Sequence, residues 1–168
     1  MGCGKQGPKP GAKAEEQKPP EPRNVATGPV EVTTRGTDQK RQWTVRAKAS
    51  ALAFEGEGTL GGSMDNVEGE LYQDDVVASK FKALEGKADQ ESRELELLGE
   101  VSVTSEKDKA VLTAQKVRWL EDKGLIEASG GVVVTNPDYK VGPYGKLWAT
   151  PDLKDIGTPD MFKGWKKP

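Results

Sequence analysis

Two adjacent carboxylates, Asp74 and Asp75, are the residues of the central sequence whose types could support acid–base chemistry. Neighbours on a strand point to opposite faces of a sheet, so a strand would not bring these two side chains into one site. Histidine is absent, which removes the usual general base, a common zinc ligand and the middle member of a Ser-His-Asp triad. We therefore predict that the two aspartates form a solvated turn. We also predict that the protein is not an enzyme and uses no metal and no cofactor.

Cys3 is the only cysteine, so no disulfide can form within the chain. The start, Met-Gly-Cys-Gly-Lys, resembles the cleavage end of a bacterial lipoprotein signal, in which a small residue such as Gly2 precedes the cysteine that receives the lipid; the apolar stretch of such a signal is missing. N-myristoylation of Gly2 is the competing modification, but its pattern requires Ser or Thr where this sequence has Gln6. We predict lipidation of Cys3 and attachment to a membrane through the N-terminus, because no later stretch approaches the roughly 18 apolar residues of a membrane span.

The composition divides the 168 residues into a leader, one domain and a tail. Residues 1–28 are rich in Pro, Gly, Lys and Glu and are predicted to be a disordered leader that serves as a tether. Residues 29–155 are predicted to form one domain, and residues 156–168 a mobile or loosely docked C-terminal tail. The 25 basic and 27 acidic residues are interspersed, which argues against nucleic acid as a partner.

Apolar residues beyond Pro29 alternate with polar ones, and a period of two indicates half-buried β-strands. Helical spacing is suggested only between Ala110 and Leu120. We interpret that stretch as a strand with a β-bulge near Gln115 and Lys116, because its β-branched and aromatic content favours strand. Short strands separated by turn sequences predict an all-β sandwich or roll.

A repeat runs through these strands. Gly69, Gly99 and Gly131 each begin a similar unit. The unit is a strand, a turn and a returning strand, and the returning strand ends in an apolar residue, any residue and then alanine. A unit this short cannot bury its own apolar face, so successive hairpins are expected to stack. The sequence therefore predicts an elongated, open-ended sandwich or β-jelly roll of stacked antiparallel hairpins.

The order of these segments resembles the LptC branch of the OstA-like proteins over about 43–153. The resemblance rests on the following stretches: WTVRAKAS, GELYQDDVVASKFKALEGKA, LELLGEVSVTS, LTAQKVRWLEDKGLIEASGGVVV and LWATPDL. It implies a twisted β-jelly roll with a hydrophobic groove for the acyl chains of lipopolysaccharide or a similar lipid. It also implies a periplasmic bridge from an inner-membrane ABC transporter to an LptA-like protein, with subunits joined edge to edge. The family's usual membrane anchor is a transmembrane helix, whose place a lipidated Cys3 would take here.

The resemblance and the alternation together select two sets of candidate residues. The inward positions are candidates for the lipid groove: Trp43, Val45, Ala47, Leu71, Phe81, Ala83, Leu95, Leu97, Val101, Val103, Leu112, Ala114, Trp119, Ile126, Ala128, Val132 and Val134. The last strand is the candidate partner-docking edge: Lys146, Leu147, Trp148, Ala149 and Thr150.

Two other functions remain open at this point. The inward residues are also what an ordinary packed core requires, so the chain could be a structural or adaptor envelope lipoprotein with a closed sandwich and no lipid cargo. A carbohydrate-binding sandwich is a weaker alternative, because it would need exposed aromatic platforms and the chain has few aromatic residues. A continuous interior that opens at its ends would favour the lipid bridge over the adaptor.

Overall fold

The structure, a computed structural model, describes residues 23–25, 29–55 and 59–168. Cys3 and most of the leader lie outside these residues. Within the leader predicted from the sequence, Arg23–Val25 form a short strand that pairs with Leu52, Ala53 and Phe54. The predicted domain boundary near residue 29 therefore does not mark the first strand.

The described residues form one antiparallel sheet, which confirms the all-β prediction. Each strand pairs with the next along the chain from β3 to β10, and β1 and β2 both pair with β3. The strands are β1 (Arg23–Val25), β2 (Val30–Arg35), β3 (Arg41–Glu55), β4 (Thr59–Gln73), β5 (Val76–Asp89), β6 (Glu94–Ser105), β7 (Val111–Leu120), β8 (Leu125–Thr135), β9 (Lys140–Ala149) and β10 (Ile156–Gly157).

A row of β-bulges crosses the sheet and divides the long strands into two halves. The pairing register shifts between Lys82 and Glu85 in β5, and at corresponding positions in the strands that follow. The shift between Thr113 and Lys116 in β7 confirms the bulge predicted near Gln115. A bulge inserts an extra residue and bends its strand, so bulges aligned across neighbouring strands bend the whole sheet along one line.

The bend gives the sheet two layers that enclose a common core. We call the strand halves 30–35, 41–47, 67–83, 101–114 and 132–144 the first layer, and the halves 49–65, 85–98, 116–129 and 146–149 the second layer. The turn between β5 and β6 belongs to the second layer, yet its Arg93 carbonyl accepts a hydrogen bond of 3.3 Å from Trp43 Nε1 in the first layer. Gln90 of the same turn donates to the carbonyl of Thr33 at 3.4 Å. Ends of the two layers therefore meet, as in an elongated sandwich.

Alternating residues of both layers fill a single apolar core. In β7 the buried positions change phase at the bulge, from Leu112 and Ala114 to Val117 and Trp119, so the strand keeps its apolar side chains on the core face in both layers. Polar residues occupy the outer face, where Arg118 pairs with Glu127 at 3.0 Å and Lys116 with Glu96 at 3.1 Å.

The three repeat glycines occupy two different environments. Gly99 and Gly131 lie in the bulges with φ of +77° and +61°, a conformation that favours glycine. Gly69 lies in the regular part of β4, where an added Cβ would come within 1.9 Å of the Thr44 carbonyl and 2.7 Å of the Phe81 ring. The repeat is therefore one of hairpins, namely β4–β5, β6–β7 and β8–β9, and not of a single glycine role.

Asp74 and Asp75 form an exposed turn between β4 and β5, as predicted. Arg41 binds this turn through its Nε, which donates to Asp75 Oδ1 at 2.8 Å, and through Nη2, which donates to the Asp75 carbonyl at 3.0 Å. The hydrogen bond from Arg41 lowers the pKa of Asp75 below its ordinary value and raises that of Arg41. Lys40 contacts Asp74 separately at 3.3 Å, so each aspartate has a structural cation partner.

The tail predicted at 156–168 is structured and packs against the domain. It contains β10 and a short 3-10 helix, Pro159–Phe162. The Phe162 ring lies 6.2 Å from that of Trp148 and 5.5 Å from that of Trp165. Among the described residues, no helix is both long and apolar enough to cross a membrane.

Candidate functional site at the open end of the sandwich

The core face of the sheet reaches the surface at β9. Val141 pairs directly with Val134, and Tyr144 pairs with Val132. Residues paired across two strands point to the same face, so Val141 and Tyr144 lie on the core face. Val132 and Val134 are buried at 0% and 1% exposure, whereas Val141 and Tyr144 are 40% and 44% exposed. The interior is therefore uncovered at its C-terminal end.

A shallow apolar cavity of about 260 Å³ marks this place. We call it the open end, and its lining residues are Val134, Tyr139, Val141, Tyr144, Leu147, Ile156, Gly157, Thr158 and Met161. Six large apolar side chains are prominently exposed in the part of the chain that the structure describes, and four of them belong to the open end. Exposed apolar residues that cluster in this way mark interaction or ligand sites more often than residues scattered singly.

The local sequence explains why β9 departs from a regular strand. Gly142 has a φ of +116°, and an added Cβ there would lie 2.4 Å from the Val132 carbonyl, so only glycine fits. Pro143 follows and has no N–H to give to a ladder, which suits an edge strand. The irregular pairing that results puts two residues between the core-facing Val141 and Tyr144, where a regular strand has one.

β9 also has an unpaired edge next to the open end. On one side it pairs with β8 along most of its length. On the other side, among the described residues, only Ala149 and Trp148 have strand partners, which are Ile156 and Gly157 of β10. Residues 140–146 therefore present free backbone groups of the kind that accept a further strand.

The docking edge predicted from the sequence only partly overlaps the free edge of β9. It proposed Lys146, Leu147, Trp148, Ala149 and Thr150, but β10 occupies the edge at Trp148 and Ala149. Thr150 begins a turn in which its amide donates to the Asp155 carbonyl at 3.0 Å. Leu147 is buried at 4% exposure. The sequence prediction assigned residues 156–157 to the tail. In the structure they form β10, which covers the edge of β9 at Trp148 and Ala149.

All seventeen groove candidates lie in the one buried cluster of the core. Their exposures range from 0% to 8%, so they are packed in the core, and of the central candidates Leu95 and Trp119 also border the cleft at the β5–β6 and β7–β8 turns. Val132 and Val134 alone pair directly with exposed residues of the open end. Trp119, a groove candidate, and Trp148, of the predicted docking edge, donate their indole N–H groups to Glu121 at 3.1 Å and to Glu127 at 2.9 Å.

The sequence reasoning missed Tyr139, Val141, Tyr144 and Met161. Two signals were available for the first three. A proline inside an apolar run indicates an edge strand, and the glycines around Pro143 indicate a bulge that changes the spacing of the core-facing residues. Met161 reaches the open end only because the 3-10 helix folds back over β9, and no local pattern in the sequence predicts that contact.

A larger cleft of about 920 Å³ lies beside the β5–β6 and β7–β8 turns. Lys87, Glu96, Arg118 and Glu121 are among its lining residues. Both signs of charge are present, and Glu96 and Arg118 are already paired with Lys116 and Glu127. Ala88, Leu95, Trp119 and Leu120 also line the cleft, so its wall mixes apolar side chains with charges of both signs. The open end is lined almost entirely by apolar residues and lies beside a free strand edge, which makes it the better candidate for contact with a partner strand.

Comparison with known proteins does not assign a function, so a functional assignment rests on the fold and on the geometry of the site. No family model matches the sequence. A search of the curated proteins also finds no match.

Proposed function

We propose that the protein is a periplasmic bridge component of lipopolysaccharide export, or of the export of a related amphiphile, and is not an enzyme. In this role it holds acyl chains between its two β-layers and passes them from an inner-membrane transporter to an LptA-like partner. A lipid on Cys3 would tether it to a membrane, most simply the inner one. The resemblance to LptC-type proteins supplies the cargo and the partners of this proposal.

The open end is the observation that carries the proposal. An apolar core continues from β2 to β9 without a polar layer, and its core-facing side chains emerge at Val141 and Tyr144. The free edge of β9 lies beside them. A partner strand added at this edge would extend the sheet and cover the exposed apolar face, so that the interiors of two proteins would become continuous.

The packing of the core determines where a lipid would enter. Val103 and its neighbours are fully buried, so an acyl chain reaches them only if the layers separate along the bend. Val141 and Tyr144 are accessible without such a change. We therefore expect the first contact with lipid at the open end, and contact with central residues only during transfer.

Site-specific photo-crosslinking tests this order. A photoreactive amino acid would replace Tyr144 or Val103 on the core face, or Ser102, whose neighbour across the sheet is Lys82 on the outer face, as the matched control. Crosslinks to radiolabelled lipopolysaccharide in envelope vesicles should be strongest at Tyr144, weaker at Val103 and at background at Ser102. Equal labelling of Val103 and Ser102, together with background labelling at Tyr144, would reject a lipid path through the interior.

The buried state of the seventeen groove candidates favours a second function. A sandwich packed this completely would serve as a structural or adaptor lipoprotein that joins β-proteins through its edge and carries no lipid. Mass spectrometry of lipids extracted from protein purified from envelopes separates the two functions. The bridge should carry acylated amphiphile in excess of a Tyr144→Ser variant, whereas the adaptor should carry none above that control.

A further inference from the structure

The C-terminal segment that follows β9 turns back on the same edge that the open end exposes. Thr150 starts the return: its amide donates to the Asp155 carbonyl at 3.0 Å, and its hydroxyl donates to Asp152 Oδ1 at 2.6 Å. β10 then pairs with Trp148 and Ala149. Because β10 pairs there, this edge of β9 can accept an added strand. At Trp148 and Ala149 the edge is already occupied by β10.

Contacts beyond β10 hold the segment in place. Phe162 is buried between Trp148 and Trp165. The indole N–H of Trp165 donates to the Lys123 carbonyl in the β7–β8 turn at 3.1 Å. Lys167 Nζ donates to the Glu121 carbonyl in the same turn at 3.3 Å. The segment is therefore anchored on an element two strands away, and not only by the turn at Thr150.

We propose that residues 150–168 form an edge stop that confines a partner strand to residues 140–146 of β9. This inference rests on the edge docking of the proposed function and specifies its register. The occupant is an extended edge strand of a partner β-protein. The free stretch is about 23 Å long at roughly 3.3 Å per residue, which suits one short strand.

The stop also contributes to the surface that the partner meets. Met161 is 73% exposed and lines the open end together with Tyr139, Val141 and Tyr144. A strand that pairs with 140–146 would place one core-facing apolar side chain in this cavity. Pro143 narrows the choice of register further, because it cannot donate to the added strand.

Hydrogen exchange tests the stop without any partner. The Thr150 amide is bonded to the Asp155 carbonyl, and the alternation of an antiparallel ladder puts the Trp148 amide on the same edge. A double variant, Phe162→Ala with Trp165→Ala, removes the anchor but leaves β9 unchanged. It should raise the exchange rates of the Trp148 and Thr150 amides at least tenfold, while amides of β6 and β7 exchange as before. Lys166→Ala, at an exposed position in the same segment, is the control and should change neither rate.

Strand addition is then measured with a defined probe, the synthetic peptide VEVTTR, which has the sequence of the edge strand β2 (Val30–Arg35) and carries a photoreactive group. In the full chain the peptide should crosslink to 140–146 and not to 148–150. In the anchor variant the crosslinks should extend to 148–150. Crosslinks to 148–150 in the full chain, or unchanged exchange rates in the anchor variant, would overturn the edge stop. Exchange that changes as expected without any peptide crosslink would support the stop and count against edge docking itself.

Discussion

The two ends of the apolar interior differ in whether the rest of the protein covers them. At the N-terminal end, Trp43 is completely buried, and its indole N–H bonds to Arg93 in a turn from the opposite layer. At the C-terminal end, Val141 and Tyr144 also lie on the core face, but on an edge strand, and are 40% and 44% exposed. Core-facing residues are thus covered at the end where a turn crosses between the layers and exposed at the end where none does.

Removing the side chain that closes the N-terminal end should have the largest effect. Trp43→Ala creates a cavity in the core and leaves the Arg93 carbonyl without its donor, so we expect a loss of about 3–5 kcal/mol in the free energy of unfolding. Tyr144→Ala removes an aromatic ring of the open end and should cost less than about 1 kcal/mol. Urea denaturation followed by circular dichroism measures both. Losses of similar size would mean that the two ends are equally packed.

Adding a methyl group distinguishes the packed sheet from the free edge. Gly69→Ala forces a Cβ against the Thr44 carbonyl and the Phe81 ring, and overpacking of this kind costs roughly 1–3 kcal/mol. Gly145→Ala on β9 meets no atom within 4 Å and should be close to neutral. Thermal unfolding of the two variants gives the comparison, and a destabilised Gly145→Ala protein would show that the face of β9 at this residue is covered.

The open end should account for most binding of apolar probes. We expect Val141→Ser with Tyr144→Ser to reduce the fluorescence of an added apolar dye severalfold, because four of the six exposed large apolar residues of the described chain lie there. Leu84→Ser with Val76→Ser removes two exposed apolar residues elsewhere and should reduce it only slightly. A stronger reduction in the control would place the dye site outside the open end.

The smallest expected effect concerns the turn formed by Asp74 and Asp75, which Arg41 binds. The pKa of Asp75 is lowered from 3.8 by its hydrogen bond to Arg41, so this pair stabilises the fold above that pH, and the contribution disappears as the pH falls through the lowered pKa. Both side chains are well exposed, so the effect is small. Melting temperatures of wild type and Asp75→Asn should differ slightly at pH 7 and converge near pH 2. A difference that persists at pH 2 would contradict this origin.

Alternation predicted the strands and the core because each strand obeys a local rule. The seventeen inward candidates are all buried, and even the bulge in β7 could be located from the change of phase between Ala114 and Val117. The open end was missed because exposure depends on what covers a residue. Gly142 and Pro143 indicate an edge strand with a bulge, but no local signal shows whether a turn like that at Arg93 crosses over Tyr144.

The pairing of β10 with part of the predicted docking edge was missed for a related reason. Ile156 and Gly157 are too short a segment to show a period of two, and their pairing with β9 depends on the turn at Thr150 and on aromatic contacts far along the chain. Long-range contacts of this kind leave little trace in a local pattern. Lipidation of Cys3, the lipid cargo and the partner proteins remain predictions.

The row of bulges makes the length of the interior independent of its thickness. Each hairpin contributes to both layers because each of its strands crosses the bend, so one hairpin adds a complete slice of core. Gaining or losing one hairpin would change the molecule by two strand spacings, about 10 Å, without altering the separation of the layers. A lineage could in this way match the span of such a protein to a wider or narrower compartment by duplicating or deleting some thirty residues.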